Sequence, residues 1–167
     1  MLHLVYGPMC SGKSSDLIRR AKEAKSVGLR ILVINSALDP RDPHCIVTHA
    51  NIKIKAKKID DIMLVNTKSY DAVFIDEAQF FTNLFPFVKL CLKHRQMVYA
   101  YGLNGDFQGK LIGHMHELIP HADRITYLTA ECNCERDAMY SCREGGSMDP
   151  VDVHASYTPM CRSCRNS

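Results

Sequence analysis

Short apolar runs that end in turns divide the first 130 residues into alternating strands and helices. Continuous apolar stretches predict buried strands at 2–6, 29–34, 71–75, 97–101 and 125–129. Between the first two, apolar residues recur at helical spacing from Ser14 to Val27, and Gly28 stands where a helix would end. A second helix is predicted from Leu84 to His94. Strands joined by helical crossovers favour an α/β domain with a mostly parallel sheet.

Two segments depart from this alternation. From Lys53 to Lys58, lysines alternate with isoleucine and alanine, which favours a half-exposed strand over a phosphate-binding patch. Residues 35–51 contain the run Asp39-Pro40-Arg41-Asp42-Pro43, whose composition predicts a loop. Loops of this kind occur both at active sites and elsewhere.

The pattern changes after Ala130. Apolar runs stop there, and turn residues such as Gly145-Gly146-Ser147 and Asp149-Pro150 interrupt what remains. A segment of this size cannot build its own hydrophobic core and needs another source of stability, such as a metal. We therefore predict a domain at 1–130 and a small second domain at 131–167.

Composition and charge exclude several classes of protein. The chain has 167 residues, of which 46% are hydrophobic and 23% charged, so collagen-like, coiled-coil and wholly disordered proteins are excluded. A net charge of +3 is too small to indicate a nucleic-acid partner. No apolar run is long enough to cross a membrane, and the first residues do not resemble a secretory signal. We expect a cytoplasmic protein without a membrane partner.

Five of the eight cysteines fall near the end of the chain. Without a secretory signal, this clustering indicates a metal rather than disulfides. Cys132-Asn133-Cys134 and Cys161-Arg162-Ser163-Cys164 form two close pairs, which suits a tetrahedral structural zinc. Because a pair separated by one residue is the less usual half-site, Cys142 or His154 could replace one member.

Residues 7–14 carry the pattern of a phosphate-binding loop, G-x-x-x-x-G-K-S. In such loops the backbone N–H groups and the following helix face phosphate oxygens, while Lys13 reaches the β and γ phosphates and Ser14 ligates Mg²⁺. A glycine turn with an exposed lysine is the alternative. The position between a predicted strand and a predicted helix favours the phosphate-binding loop.

Asp76 and Glu77 follow the predicted strand 71–75 directly. Kinases and nucleotide hydrolases place a second acidic element at such a strand end, where one carboxylate supports magnesium and another accepts a proton from the attacking hydroxyl. Two solvated acids, or a helix cap, are the alternatives. The phosphate-binding loop favours the catalytic interpretation.

Further motifs make the sequence resemble a known family. These are D-E-A-Q-F-F at 76–81, G-L-N-G-D-F-Q at 102–108 and L-T-A at 128–130, followed by the cysteine pairs. Together with the loop at 7–14 they resemble the zinc-containing thymidine kinases of the cellular, bacterial and poxviral type, over essentially the whole chain. The resemblance implies a P-loop, RecA-like α/β domain with a largely parallel sheet and a small C-terminal zinc-bound domain, called the lasso.

The resemblance also implies roles for the matching residues. Glu77 would be the general base, and Lys13 and Arg41 would stabilise charge in the transition state. The residues that would bind ATP and its metal are Gly7, Met9, Ser11, Gly12, Lys13, Ser14, Asp76 and Gln79, with Ser14 and Asp76 serving magnesium. The residues that would contact the nucleoside are Met9, Phe81, Leu103, Phe107 and Tyr157. The zinc ligands would be Cys132, Cys134, Cys161 and Cys164.

Structural roles compete with several of these assignments. Phe80 and Phe81 could both belong to the core, Met9 could fill a gap, and Tyr157 could be an ordinary loop residue. The segment at 151–156 also lacks the glycine pair usual in the family and is shorter. This departure lies where the nucleoside is chosen.

The resemblance implies an ATP- and Mg²⁺-dependent thymidine kinase with structural zinc, which makes thymidine monophosphate for DNA synthesis. It further implies a homotetramer, feedback inhibition by thymidine triphosphate and no nucleic-acid partner. The alternatives are a deoxynucleoside kinase of altered or broader specificity and a catalytically silent nucleotide-binding zinc protein. A zinc-ribbon nucleic-acid binder with an ATPase is disfavoured because residues 139–167 are not strongly basic.

Overall fold

A six-stranded parallel sheet forms the centre of the computed structural model, which describes residues 1–39, 42–48, 50–145 and 155–166. Its strands are β1 (Leu2–Gly7), β2 (Ile31–Ser36), β5 (Lys57–Ile59), β6 (Ala72–Ile75), β7 (Met97–Leu103) and β8 (Arg124–Tyr127). Their spatial order is β5-β2-β6-β7-β1-β8, and every neighbouring pair is parallel. The predicted α/β class with a mostly parallel sheet is confirmed.

Helices cover both faces of this sheet. Helix α1 (Lys13–Ser26) packs on one face and α2 (Leu84–Lys93) on the other. Because side chains alternate along a strand, Val73 and Ile75 of β6 pack in the cluster with α2, while Phe74 packs in the cluster with α1. Burial on both faces explains why these strands are continuous apolar runs.

The region between β2 and β6 differs from its prediction. The lysine-rich run forms two strands, because β4 (Lys53–Lys55) pairs antiparallel with β3 (Cys45–Val47) while β5 joins the central sheet. Ala56 separates them; it is buried and its N–H donates to the carbonyl of His44 at 2.9 Å. Strand β3 lies inside the segment predicted as a loop, so that prediction is wrong for residues 45–47.

The C-terminal part consists of short elements. Strands β9 (Ala130–Glu131) and β10 (Asp137–Ala138) form one antiparallel pair, and β11 (Tyr140–Glu144) and β12 (Ser156–Met160) form another. A one-turn helix, α3 (Arg162–Arg165), follows. As for membranes, the described residues contain no helix of the length and apolar character that a bilayer crossing requires.

Candidate active site and zinc centre

The phosphate-binding loop connects the end of β1 to the first turn of α1. A Cβ atom on Gly7 would lie 2.3 Å from Ser11 Oγ and 2.7 Å from the carbonyl oxygen of Leu128, so no larger residue fits there. Gly12 has a φ of 79°, a left-handed conformation that glycine adopts without strain. The two glycines of the motif therefore permit the tight approach of backbone that phosphate binding requires.

The Lys13 ammonium lies inside this loop. It donates to the carbonyl oxygens of Gly7 at 3.1 Å and Pro8 at 2.6 Å, and only 8% of the residue is exposed. The charge is thus held next to the N-terminus of α1, where the helix dipole also favours an anion.

Asp76 lies at the end of β6, opposite the loop. It is 1% exposed, and the Ser14 hydroxyl donates to its Oδ2 atom at 3.2 Å. A hydroxyl beside a carboxylate supplies the oxygen ligands that Mg²⁺ prefers. The donor set therefore fits the predicted magnesium site.

Glu77 and Gln79 form a bridge beside this pair. The side-chain amide of Gln79 donates to Glu77 Oε2 at 2.7 Å, and its Oε1 accepts from the N–H of Leu103 at 3.3 Å. Gln79 is 1% exposed, and Glu77 has a φ of 50°, which is strained for a residue with a side chain. Such strain persists where the surrounding structure imposes it. The hydrogen bond from Gln79 fixes the direction of the Glu77 carboxylate.

Close packing at Gly102 keeps this bridge in place. A Cβ atom there would lie 2.6 Å from Gln79 Oε1 and 2.5 Å from Met115 Sδ. The first glycine of the G-L-N-G block is therefore required by the bridge. The sequence assigned Gln79 to nucleotide binding; that role stays a prediction, and the contact with Glu77 is new.

Three of the predicted nucleoside-binding residues lie close to one face of β11. The N–H of Met9 donates to Ser141 Oγ at 2.9 Å, while the Arg143 guanidinium lies 3.8 Å from the ring centroid of Phe107 and 6.0 Å from that of Tyr157. Ser141 and Arg143 are two residues apart on one strand, so they share a face. The sequence analysis missed both residues, because it predicted no strand after residue 130.

The other two predicted nucleoside contacts lie in the parallel-sheet region. Leu103 is half-buried at the end of β7. Phe81 is 1% exposed and packs in the core cluster with Leu84 and Phe87, in agreement with the alternative that one of the two phenylalanines is core. A role for Phe81 at the base stays a prediction.

In the segment at 39–43 the structure describes Asp39, Asp42 and Pro43. Arg41, the predicted charge stabiliser, lies outside the described residues, as does His154, the alternative zinc ligand. Asp39 is buried, and Asn35 Nδ2 donates to its Oδ2 at 2.8 Å. The Lys58 ammonium donates to the Asp39 carbonyl oxygen, which ties the start of this segment to β5.

Four cysteines form one cluster in the C-terminal part. The sulfur atoms of Cys132, Cys134, Cys161 and Cys164 all lie within 4.8 Å of one another. A tetrahedral zinc with bonds of about 2.3 Å holds its sulfurs about 3.8 Å apart, so this cluster fits the ion. Among the described residues, Cys142 is not part of the group, which leaves the four-thiol set as the one the geometry favours.

Hydrogen bonds to the sulfurs favour the thiolate form at two of the four cysteines. Arg136 Nε donates to Cys134 Sγ at 3.3 Å and lowers the pKa of that thiol to about 6. The backbone N–H of Cys164 lowers the pKa of Cys161, whereas hydrogen bonding to the Cys134 and Cys161 sulfurs raises the pKa of Cys164 to about 12. The cluster thus has two thiols prepared to bind a cation.

Comparisons with known proteins show which family the chain belongs to. The profile of the family described as thymidine kinase matches residues 1–165. The thymidine kinase of Myxoma virus (strain Uriarra) is 34% identical over 169 residues, which cover 98% of this chain and 94% of the viral protein. Thymidine kinase a of Arabidopsis thaliana is 33% identical over 96% of this chain and 73% of its own length, and thymidine kinase 1 of Dictyostelium discoideum is 31% identical over 99% and 78%. The chain therefore belongs to the thymidine kinase family of phosphotransferases.

Proposed function

We propose that this chain transfers the γ-phosphate of ATP to the 5′-hydroxyl of thymidine, giving thymidine monophosphate and ADP. The observation that carries the proposal is the row of Ser14, Asp76 and Glu77, held together by the 3.2 Å contact between Ser14 and Asp76 and by the Gln79 bridge. This row combines a phosphate-binding helix start, a metal-binding carboxylate and a fixed second carboxylate. Phosphoryl transfer depends on positioning and charge stabilisation of this kind.

The nucleotide would bind along residues 7–14. Backbone N–H groups and the start of α1 would hold the phosphates, and Lys13 would leave the loop carbonyls to contact the β and γ phosphates. When bound, Mg²⁺ supplies positive charge to the phosphate oxygens, and Ser14 and Asp76 would hold it. Arg41 would add a further positive charge.

Glu77 would act as the general base. It would accept the proton of the 5′-hydroxyl while the 5′-oxygen forms a bond to the γ-phosphorus and the bond from that phosphorus to the bridging oxygen of ADP breaks. A carboxylate fixed by Gln79 does not have to be oriented during the reaction. Positioning of this sort accounts for much of the rate in phosphoryl transfer.

The base of the nucleoside would lie between the two parts of the chain. Met9, Phe81, Leu103 and Phe107 come from the first part and Tyr157 from β12. Apolar and aromatic side chains supply stacking but little discrimination between pyrimidines. The structural zinc would hold β9, β12 and α3 together and so keep Tyr157 in place.

Residues 1–130 would form the nucleotide-binding domain and 131–167 the zinc-bound lasso. A homotetramer, feedback inhibition by thymidine triphosphate and a cytoplasmic location are further proposals that rest on the family.

The test is phosphorylation of thymidine, deoxyuridine and deoxycytidine with Mg-ATP, beside a Glu77→Gln variant. Turnover of thymidine in preference to deoxycytidine, lost in the variant, supports the proposal. Equal turnover of all three would indicate a kinase of broader specificity. No turnover of any of them by folded, zinc-loaded protein would overturn it.

A further inference from the structure

Arg165 lies at the junction between the zinc centre and the loop after β7. It follows Cys164 at the end of α3, and its backbone N–H donates to the carbonyl of Cys161 at 3.0 Å. Its side chain leaves the cysteine cluster, because Nη2 donates to the carbonyl oxygen of Phe107 at 3.4 Å. The guanidinium also lies 4.3 Å from the ring centroid of Tyr140 on β11. The side chain thus contacts both the loop after β7 and strand β11.

The loop at 104–110 has a shape that accommodates this guanidinium. Asp106 closes the loop by accepting from the N–H groups of Gln108 at 2.9 Å and Lys110 at 2.8 Å. Gly109, with a φ of 81°, lies against the arginine, since a Cβ there would be 2.9 Å from Arg165 Nη1. The loop therefore leaves a space that this guanidinium occupies.

Phe107 is held from two sides. Arg165 binds its carbonyl oxygen, and Arg143 covers its ring at 3.8 Å while lying 6.0 Å from the ring of Tyr157. A hydrogen bond to the backbone and a cation over the ring together restrict where the ring points. The hold on the backbone comes from a residue next to a zinc ligand.

We propose that Arg165 is a positioning residue that couples the zinc centre to the nucleoside pocket. This inference rests on the proposed function, in which Phe107 and Tyr157 contact the base. While the cysteine cluster is closed around its metal, α3 is fixed and Arg165 holds Phe107. When the metal is lost, Phe107 is released and nucleoside binding weakens, whereas the nucleotide site on β1 and α1 stays formed.

The first test compares Arg165→Ala with Arg162→Ala. Both residues lie on α3, but Arg162 is exposed and serves as the matched control. Calorimetric titration should show thymidine binding about tenfold weaker in Arg165→Ala, since a charged hydrogen bond and a cation–π contact are lost. Binding of a non-hydrolysable Mg-ATP analogue and the zinc content should match wild type. Arg165→Lys, which keeps the charge but not the planar fork, should fall between.

The second test removes zinc with a chelator. Wild type should lose thymidine affinity but keep nucleotide affinity, and Arg165→Ala should lose less on chelation because the coupling is already broken. Unchanged thymidine affinity in Arg165→Ala overturns the inference. Loss of zinc from that variant also overturns it, because Arg165 would then support the metal site rather than the loop.

A third readout is independent of the nucleoside. Trypsin should cleave after the exposed Lys110 faster in Arg165→Ala and in chelated wild type than in Arg162→Ala. If wild type binds no pyrimidine nucleoside, the proposed function fails. In that case, equal cleavage rates after Lys110 in Arg165→Ala and Arg162→Ala would also overturn the contact between Arg165 and the loop. Faster cleavage in Arg165→Ala would support that contact.

Discussion

The parallel sheet and the cysteine-rich part achieve fixed geometry in different ways. Strands β1, β6 and β7 are largely buried, and the proposed catalytic groups follow the carboxyl ends of β1 and β6. From residue 130 onwards the buried cluster contains four residues of the described chain, Ala130, Cys132, Ala138 and Cys161. Burial of apolar side chains stabilises the folded state of the first region. We expect the fold of the second region to depend on its cysteine sulfurs and on contacts made by a few arginines.

Polar contacts join the two regions. Besides the Arg165 contact, the N–H of Met9 donates to Ser141 Oγ at 2.9 Å, and Asn104 Nδ2 donates to the Met139 carbonyl at 2.8 Å. Each such bond contributes on the order of 1 kcal/mol. We therefore expect damage to the cysteine-rich part to leave the sheet and its nucleotide site folded.

The largest effect is expected on the sheet side, from Glu77→Gln. Without the general base, kcat should fall about 10²–10⁴-fold, while thymidine and nucleotide binding change little because glutamine has the same shape. A coupled assay for ADP measures this loss. Glu23→Gln, at an exposed carboxylate of α1 that pairs with Arg19, is the control and should be fully active. A loss below tenfold in Glu77→Gln would remove Glu77 from the role of base.

The next effect is on the cysteine side, from Cys161→Ser. Zinc affinity should fall more than about 100-fold, since even outer-shell changes cost 10–100-fold. Zinc content measured with a chromophoric chelator checks this, and the Mg-nucleotide affinity should be retained. Among the described residues, Cys142 is not part of the four-cysteine cluster, so Cys142→Ser should keep the wild-type zinc content. A Cys161→Ser protein with one tightly bound zinc would exclude Cys161 as a ligand.

Gln79→Met separates positioning from stability within the sheet region. We expect kcat to fall roughly tenfold with little change in the KM for thymidine, because Glu77 loses the donor that orients it. The matched change is Gln96→Met, since Gln96 is also buried and donates to the carbonyls of Thr67 at 2.6 Å and Tyr70 at 2.7 Å.

Gln96→Met should lower the free energy of unfolding by about 1–3 kcal/mol, because the carbonyls of Thr67 and Tyr70 each lose a hydrogen bond, and kcat should be unchanged. Equal losses of stability and equal kcat values in the two variants would show that Gln79 acts on stability alone.

The smallest effect is at the surface, from Asp71→Asn. Hydrogen bonds from Arg30 lower the pKa of Asp71 from 3.8 to about 2. Because the folded pKa is the lower one, the pair stabilises the fold above pH 4, and this contribution is lost as the pH falls towards 2. Asp71→Asn should lower Tm slightly at pH 7 and make no difference near pH 2 in thermal melts. A Tm difference that persists at pH 2 would contradict this origin.

Much of the candidate site could be predicted because its signals are local. The phosphate-binding loop needs glycines and a lysine at fixed spacing between a strand and a helix, and α1 begins at Lys13 as that motif requires. The paired cysteines likewise predicted the cluster that the structure forms. Strand bounds were less accurate; the strand predicted at 29–34 is Ile31–Ser36, because pairing with β6 and β5 rather than hydrophobicity sets its ends.

The sequence by itself determined the fold class, the phosphate-binding loop, the acidic pair and the two cysteine pairs, because each depends on residues close together in the chain. Only the tertiary structure decided that Gln79 bridges Glu77 and Leu103, that Phe81 is buried and that Arg165 holds Phe107. These contacts depend on which distant segments become neighbours. Strand β7 lies between β6 and β1, and α3 lies near the loop that follows β7. Both arrangements arise because the whole chain is buried in one fold, and no local sequence pattern encodes them.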